Sequence, residues 1–415
     1  MRTNSSKKIH KIKRDPYKTL MKLAAVLAAI VVVGIGVFYL CSLAVTNDYT
    51  TTRSRIQAEN AEAEVEFNAR MNELRSKNSI VDVPGETVEN AADLPYWEKE
   101  LEGKTWRIQD EGNAGLENTS TISLDRSALL NGGLMLVNAW HSLPSDFSEE
   151  ELISVGEASG FDIQVQDNTV QLFKPAYDGL KEALDAAKAD GLEYFIVMEG
   201  YRSVVEQEAL FSEQMQALSS RYSGDRLIAE TKKKVNYPGT SDYHTGMTVR
   251  MDVYQRGNNE LNDQKFQAES AQGAWLTENC WKYGFVFRFP SKDFPNASWE
   301  DKSHKTGVSS QLNMYRFVGK AHSAAMRIMD MCLEEYIEFL IAHPHICIYE
   351  DGALAYEVVR IKGAGDTQSF ALPVPNPASS YQASLDNMDG VVMAYSYRLL
   401  TSNTEEALLL PWSCP

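Results

Sequence analysis

Several chemistries are excluded by what this chain lacks. Its 415 residues include only five cysteines, with no C-x-x-C pair and no cysteine group at zinc-site spacing. There is no glycine-rich phosphate loop and no G-x-S-x-G elbow, which removes the simplest nucleotide-binding and serine-hydrolase readings. Tandem repeats and low-complexity blocks are absent. Positive charge is also scarce, since the net charge is −17. An acidic body lacks the cationic surface that phosphates need, so no nucleic-acid partner is expected.

The charge is unevenly placed. Residues 1–22 hold eight basic residues against Asp15 alone, a local +7 that leaves −24 for the rest. Leu23 to Val45 is then a run of 23 uncharged residues rich in Ala, Val, Ile and Leu. At about 1.5 Å per helical residue such a run crosses a hydrocarbon core of about 30 Å. It exceeds the apolar region of a cleaved signal peptide, about 7–15 residues. The expectation is an uncleaved single-pass anchor in the cell membrane, with residues 1–22 cytoplasmic and the main part outside. Cys41 lies in this run as an apolar filler. Cys280, Cys332, Cys347 and Cys414 would lie outside, where they could pair in ways the sequence does not specify.

Residues 46–103 read as a helical stalk followed by an acidic linker containing Pro84, Gly85 and Pro95. Ile56, Ala63, Phe67, Met71 and Leu74 fall near helical spacing, which would permit self-association through the stalk. A compact domain is expected over 104–343. Within it, Leu134–Asn138, Tyr194–Met198 and Val249–Val253 read as strands. Residues 175–190, 204–218 and 275–283 read as helices, and His322–Ala342 as one long helix. Alternating runs separated by Gly and Pro over 344–415 suggest a small C-terminal β module.

The chemistry-bearing stretches are Gly200-Tyr201-Arg202-Ser203 with Gln207, Pro238-Gly239-Thr240-Ser241, Thr245-Gly246, Trp275-Leu276, Lys282-Tyr283-Gly284-Phe285, Arg316-Phe317-Val318-Gly319 and Leu333-Glu334-Glu335-Tyr336. Together these resemble the VanY-type D-alanyl-D-alanine carboxypeptidases, members of the LAS group of zinc peptidases. The resemblance covers about 130–340. It implies an α+β fold, with a small central antiparallel sheet flanked by helices, and the cell-wall peptide as ligand. It also implies a metal loop of the form Ser-x-His-x-Thr-Gly-x-Ala-x-Asp and a later general-base Glu and ligand His.

This chain departs from that pattern where the chemistry resides. With Thr245-Gly246 as the anchor, the first histidine slot holds Tyr243 and the aspartate slot holds Arg250. With Arg316-Phe317-Val318-Gly319 as the anchor, the general-base slot holds Gln311 and the second histidine slot holds Met314. A guanidinium has no acceptor and repels a cation. A thioether suits softer metals than zinc, and an amide cannot take a proton at neutral pH. The expectation is therefore a member without catalytic residues and without a cofactor.

An alternative keeps zinc and peptidase activity by shifting the ligand register onto His244, Asp252 and His304. The resemblance also implies that Arg202 helps hold the substrate's terminal carboxylate and that Ser241 contacts the substrate, with Tyr201 and Gln207 beside them as substrate-binding residues. The expected partner is then a peptidoglycan stem peptide or an envelope protein. A further alternative is a scaffold whose pocket is filled and whose Arg202 serves an internal ion pair.

Overall fold

The computed structural model describes residues 94–112, 114–254, 270–295, 299–308 and 313–397, together with Met21, residues 33–37 and Phe266. The basic tail, the stalk and nearly all of the 23–45 run lie outside the described residues. No described helix is long and apolar enough to cross a membrane.

The strands in chain order are β1 (Tyr96–Leu101), β2 (Lys104–Asp110), β3 (Thr119–Asp125), β4 (Leu152–Ser154), β5 (Gln164–Val165), β6 (Gln171–Phe173), β7 (Phe195–Glu199) and β8 (Thr248–Val253). They continue as β9 (Phe285–Phe287), β10 (Met314–Phe317), β11 (His345–Glu350), β12 (Ala353–Lys362), β13 (Ser369–Pro375), β14 (Ser380–Leu385) and β15 (Gly390–Ser396). A five-stranded sheet runs β5-β7-β8-β10-β9, antiparallel except for the β5–β7 pair. A six-stranded antiparallel sheet runs β1-β2-β11-β12-β15-β14. This is the α+β architecture with antiparallel sheets and packed helices that the motifs imply.

Period-two alternation assigns the faces. In β8, Val249 and Met251 enter an apolar core with Phe285, Phe287, Tyr315 and Phe317, under the helix Lys174–Ala189. Thr248, Arg250 and Asp252 therefore share the opposite face, as do Met314 and Arg316 of β10. In β15, Val392 and Ala394 pack with the helices Lys320–Met329 and Leu333–Ala342, while Val391, Met393 and Tyr395 pack on the other side with Leu129, Met135 and Leu372.

Four expectations change. Tyr96–Leu101, read as linker, is β1, and Tyr96 to Leu101 pair with Gln109 to Lys104. The boundary at 343/344 does not separate two cores: Trp106, Ile346, Ile348 and Val392 bury against Ala324, Tyr336 and Leu340. The C-terminal β module thus takes its sheet partners from before the carboxypeptidase-like segment. His322–Ala342 is two helices, because Asp330 adopts φ 52° and Cys332 begins a new helix with Glu335 bonding back to its N–H. Leu134–Asn138 is buried but is not a regular strand; Asn138 makes only an isolated bridge to His141. The described cysteines Cys280, Cys332 and Cys347 are free and buried, each apart from the others.

Candidate functional site on the five-stranded sheet

The site face of β8 and β10 is approached by the turn Asp242–Thr245, a short 3-10 helix ended by Gly246 at φ 63°. A Cβ on Gly246 would come within 2.6 Å of the Phe173 ring, so this turn needs glycine for both conformation and space. Gly200 is fixed by approach alone. Its Cβ would stand 2.4 Å from the Gln171 carbonyl, to which Tyr201 N–H donates at 2.8 Å. That contact turns the chain from β7 into the helix Val204–Leu218, which opens with a Ser203–Glu206 capping box.

Three of the four mechanistic slots can be placed. Tyr243 and Met314 are 3% and 1% exposed and pack with Phe289 in one small apolar cluster. Arg250 is the cross-strand partner of Met314 on one side and of Glu199 on the other. Its Nε lies 3.8 Å from Glu199 Oε2. The slots therefore do converge, but the space between them holds an aromatic ring, a thioether and a guanidinium. This donor set does not fit zinc. Gln311 lies outside the described residues.

The shifted register does not reassemble a metal site. His244 is buried with both ring nitrogens engaged: Nδ1 donates to the Arg202 carbonyl at 2.6 Å, and Nε2 accepts from Gly239 N–H at 3.1 Å. Burial pushes its pKa down to about 4, so the ring is a neutral cross-brace between two loops. Asp252 lies beyond Arg250 on β8 and accepts from Val253 N–H at 2.7 Å. His304 is exposed on the short helix Ser303–Thr306. Among the described residues the one metal-compatible trio is elsewhere, at His345, Cys347 and Glu357.

The residues expected to hold a peptide carboxylate are brought together, but most of their polar groups are already used. Arg202 Nε donates to Glu199 Oε1 at 2.7 Å, its Nη2 binds the same oxygen, and Nη1 donates to Gln207 Oε1 at 2.6 Å. The guanidinium also lies 4.5 Å over the Tyr243 ring. Gln207 passes its own N–H to the Asn236 carbonyl at 2.7 Å. Tyr201 hydroxyl donates to Glu149. Ser241 is buried, and its carbonyl accepts from His244 N–H at 3.1 Å.

Sequence reasoning missed Glu199, the acid that both arginines address. Its position one residue before Gly200 gave no signal by itself, because only the β7–β8 register sets it opposite Arg250. It also missed the charge network beneath the slot. Asp242 Oδ1 accepts from Arg288 Nε at 2.8 Å and from Arg316 Nη1 at 2.9 Å, and Thr248 hydroxyl donates to its other oxygen. Arg288 forks onto Glu334 at 2.8 and 2.9 Å, and Arg316 Nη2 caps the Gly133 and Met135 carbonyls. Both arginines are fully buried. Burial alone would raise the Asp242 carboxyl pKa, but the two guanidiniums outweigh it and hold the group below the usual carboxylate range. Two acids and two bases balance, which is what makes four buried charges tolerable.

Comparison with known proteins agrees with this architecture. The D-alanyl-D-alanine carboxypeptidase (VanY) family model matches residues 169–319. A D-alanyl-D-alanine carboxypeptidase of Enterococcus faecalis is 30% identical over 53% of this chain and 71% of its own length. One from Enterococcus faecium is 25% identical over 68% of this chain and 81% of its own. A solved D,D-dipeptidase, VanXYg, in complex with a D-Ala-D-Ala phosphinate analogue, superposes with a TM-score of 0.52 at 22% identity, covering 67% of this chain and 99% of that one. The chain belongs to the VanY family of D-alanyl-D-alanine carboxypeptidases.

Proposed function

We propose that this chain is a non-hydrolysing member of its family, held at the cell membrane by residues 23–45, that binds the terminus of a peptidoglycan stem peptide without cutting it. The observation that carries this reading is the occupancy of the slot: Tyr243 and Met314 buried against Phe289, with Arg250 beside them. Hydrolysis by the family's chemistry needs a metal-activated water and a carboxylate to deprotonate it. Neither a ligand set nor a base is offered by Tyr243, Arg250 and Met314.

What the site offers instead is charge. Arg202 and Arg250 both face the carboxylate of Glu199 at the edge of the slot. Arg250 is the looser partner, with its side chain 30% exposed against 16% for Arg202. A peptide carboxylate arriving there meets a guanidinium fork suited to its two oxygens. The scaffold reading has its own support, because Arg202 is fully committed to Glu199 and Gln207.

One titration separates the readings. The full chain is titrated calorimetrically with a stem pentapeptide ending in D-Ala-D-Ala, and with the same peptide as its terminal amide. Binding of the acid, with the amide at least about tenfold weaker, is expected. Failure of both to bind favours the scaffold, and release of D-alanine restores the hydrolase.

A further inference from the structure

We propose that His345, Cys347 and Glu357 form a binding site for a zinc-class divalent metal, on strands β11 and β12 of the six-stranded sheet. His345 and Cys347 are two apart on β11 and so share a face, and Glu357 of β12 is the direct cross-strand partner of Cys347. Their donor atoms all lie within 4.8 Å of one another. Donors on a tetrahedral zinc with bonds of about 2.0–2.3 Å stand about 3.3–3.8 Å apart, so donor separations need change by at most about 1.5 Å, the hydrogen-bonded His345–Glu357 pair opening from 2.7 Å.

The surrounding groups already orient the donors. His345 Nδ1 donates to the Ala114 carbonyl at 2.7 Å, which aims Nε2 at the trio. Glu357 Oε2 accepts from the Tyr397 hydroxyl at 2.5 Å, leaving Oε1 directed at His345 Nε2, 2.7 Å away. A backbone carbonyl behind the histidine and a hydroxyl behind the carboxylate are the outer partners that metal ligands use. A borderline-soft ion suits one imidazole, one thiolate and one carboxylate, and the fourth position remains for water.

Without metal the trio is a proton-loaded version of the same site. Burial pushes the Cys347 thiol pKa up, and the nearby acids Glu357 and Glu111 push it further. Burial opposes the charged form of His345, but its bonds to Glu357 and Ala114 prevail and raise its pKa. Metal entry displaces the thiol proton and the Nε2 proton, forms bonds to S, N and O, and releases both protons to solvent. The charge is conserved, because an imidazolium, a thiol, a carboxylate and M²⁺ become a neutral metal complex and two H⁺.

The test uses the full chain, purified under reducing conditions and titrated with cobalt(II), then with zinc. The expected result is uptake of one ion with a thiolate-to-cobalt charge-transfer band, which zinc bleaches. In Cys347→Ser the band is lost and affinity falls at least tenfold. Tyr397→Phe, which removes one hydroxyl, keeps the band and weakens binding about tenfold. Absence of the band in the unaltered chain, or its survival in Cys347→Ser, overturns the proposal. This readout is independent of the peptide-binding reading, because Tyr243, Arg250 and Met314 supply no thiolate. Metal held without a thiolate signature in both proteins would contradict both proposals.

Discussion

Arg250 stands directly across β8–β10 from Met314, so two positions that carry metal ligands in the family pattern are cross-strand neighbours bearing a cation and a thioether. Each replacement is also integrated into its surroundings: Met314 in an apolar cluster with Tyr243 and Phe289, and Arg250 beside Glu199.

If the arginine pair reads a peptide terminus, Arg250→Ala weakens binding of a D-Ala-D-Ala-terminated stem peptide by at least about tenfold, equivalent to about 1.4 kcal/mol. Because the Arg250 side chain is 30% exposed and its ion pair with Glu199 is partly solvated, the urea midpoint should move little. Calorimetric titration beside urea denaturation checks both halves.

The buried network beneath the slot is a structural requirement. Asp242→Asn removes the charge that Arg288 and Arg316 share and leaves an excess buried cation. A loss of about 3–5 kcal/mol is expected on denaturation, the range for breaking a buried pair by one partner. Paired replacement of Arg288 and Glu334 by apolar residues should cost less than either single change.

Close approach explains why the Gly-Tyr-Arg-Ser motif begins with glycine. Gly200→Ala pushes a methyl to 2.4 Å from a backbone oxygen that cannot rotate away. A loss of about 1–3 kcal/mol is expected from such overpacking, read by urea denaturation. The shift is transmitted to Arg202, two residues on, so peptide binding should weaken as well.

Much of this was legible in the sequence. The helix 204–218 was placed to the residue, and the structure shows a Ser203–Glu206 capping box at its start. The strand at Phe195–Glu199 was visible as an apolar run read at Tyr194–Met198, and that at Thr248–Val253 as an alternation read at Val249–Val253. Tyr243, Arg250 and Met314 were singled out through the family resemblance rather than through any pattern of their own. What was not legible depends on long-range pairing. β2 looked like a domain start because its partner β11 lies more than two hundred residues away, and β1 joins that sheet only through β2. The half-exposed β14 carries only a weak alternation signal. The break at Asp330 was missed because apolar spacing continues across it. Glu199 was missed because an acid next to a motif reveals nothing until the strand register sets Arg250 opposite it.

Acid sensitivity has a definite sign. Burial holds His244 at about 4 and His322 at about 3, against about 6.5 for a free imidazole. Below about pH 6.5 the unfolded chain takes up protons that these folded rings refuse. Their contribution is therefore full above that value and declines as pH falls toward the folded values. His345 acts in the opposite sense: its pKa is raised, so its contribution is full below about 6.5 and is lost as pH rises through the folded value. Urea midpoints measured across this range should show an acid limb that becomes shallower in His322→Asn.

The most direct test of the central claim is D-alanine release from a D-Ala-D-Ala-terminated stem peptide by the full chain carrying Cys347→Ser, with and without added zinc. The substitution removes the strand-borne thiolate, so any zinc effect reports on the former slot. The filled slot predicts no release above the enzyme-free rate under either condition. Zinc-dependent release would contradict it and return the chain to the active carboxypeptidases of its family.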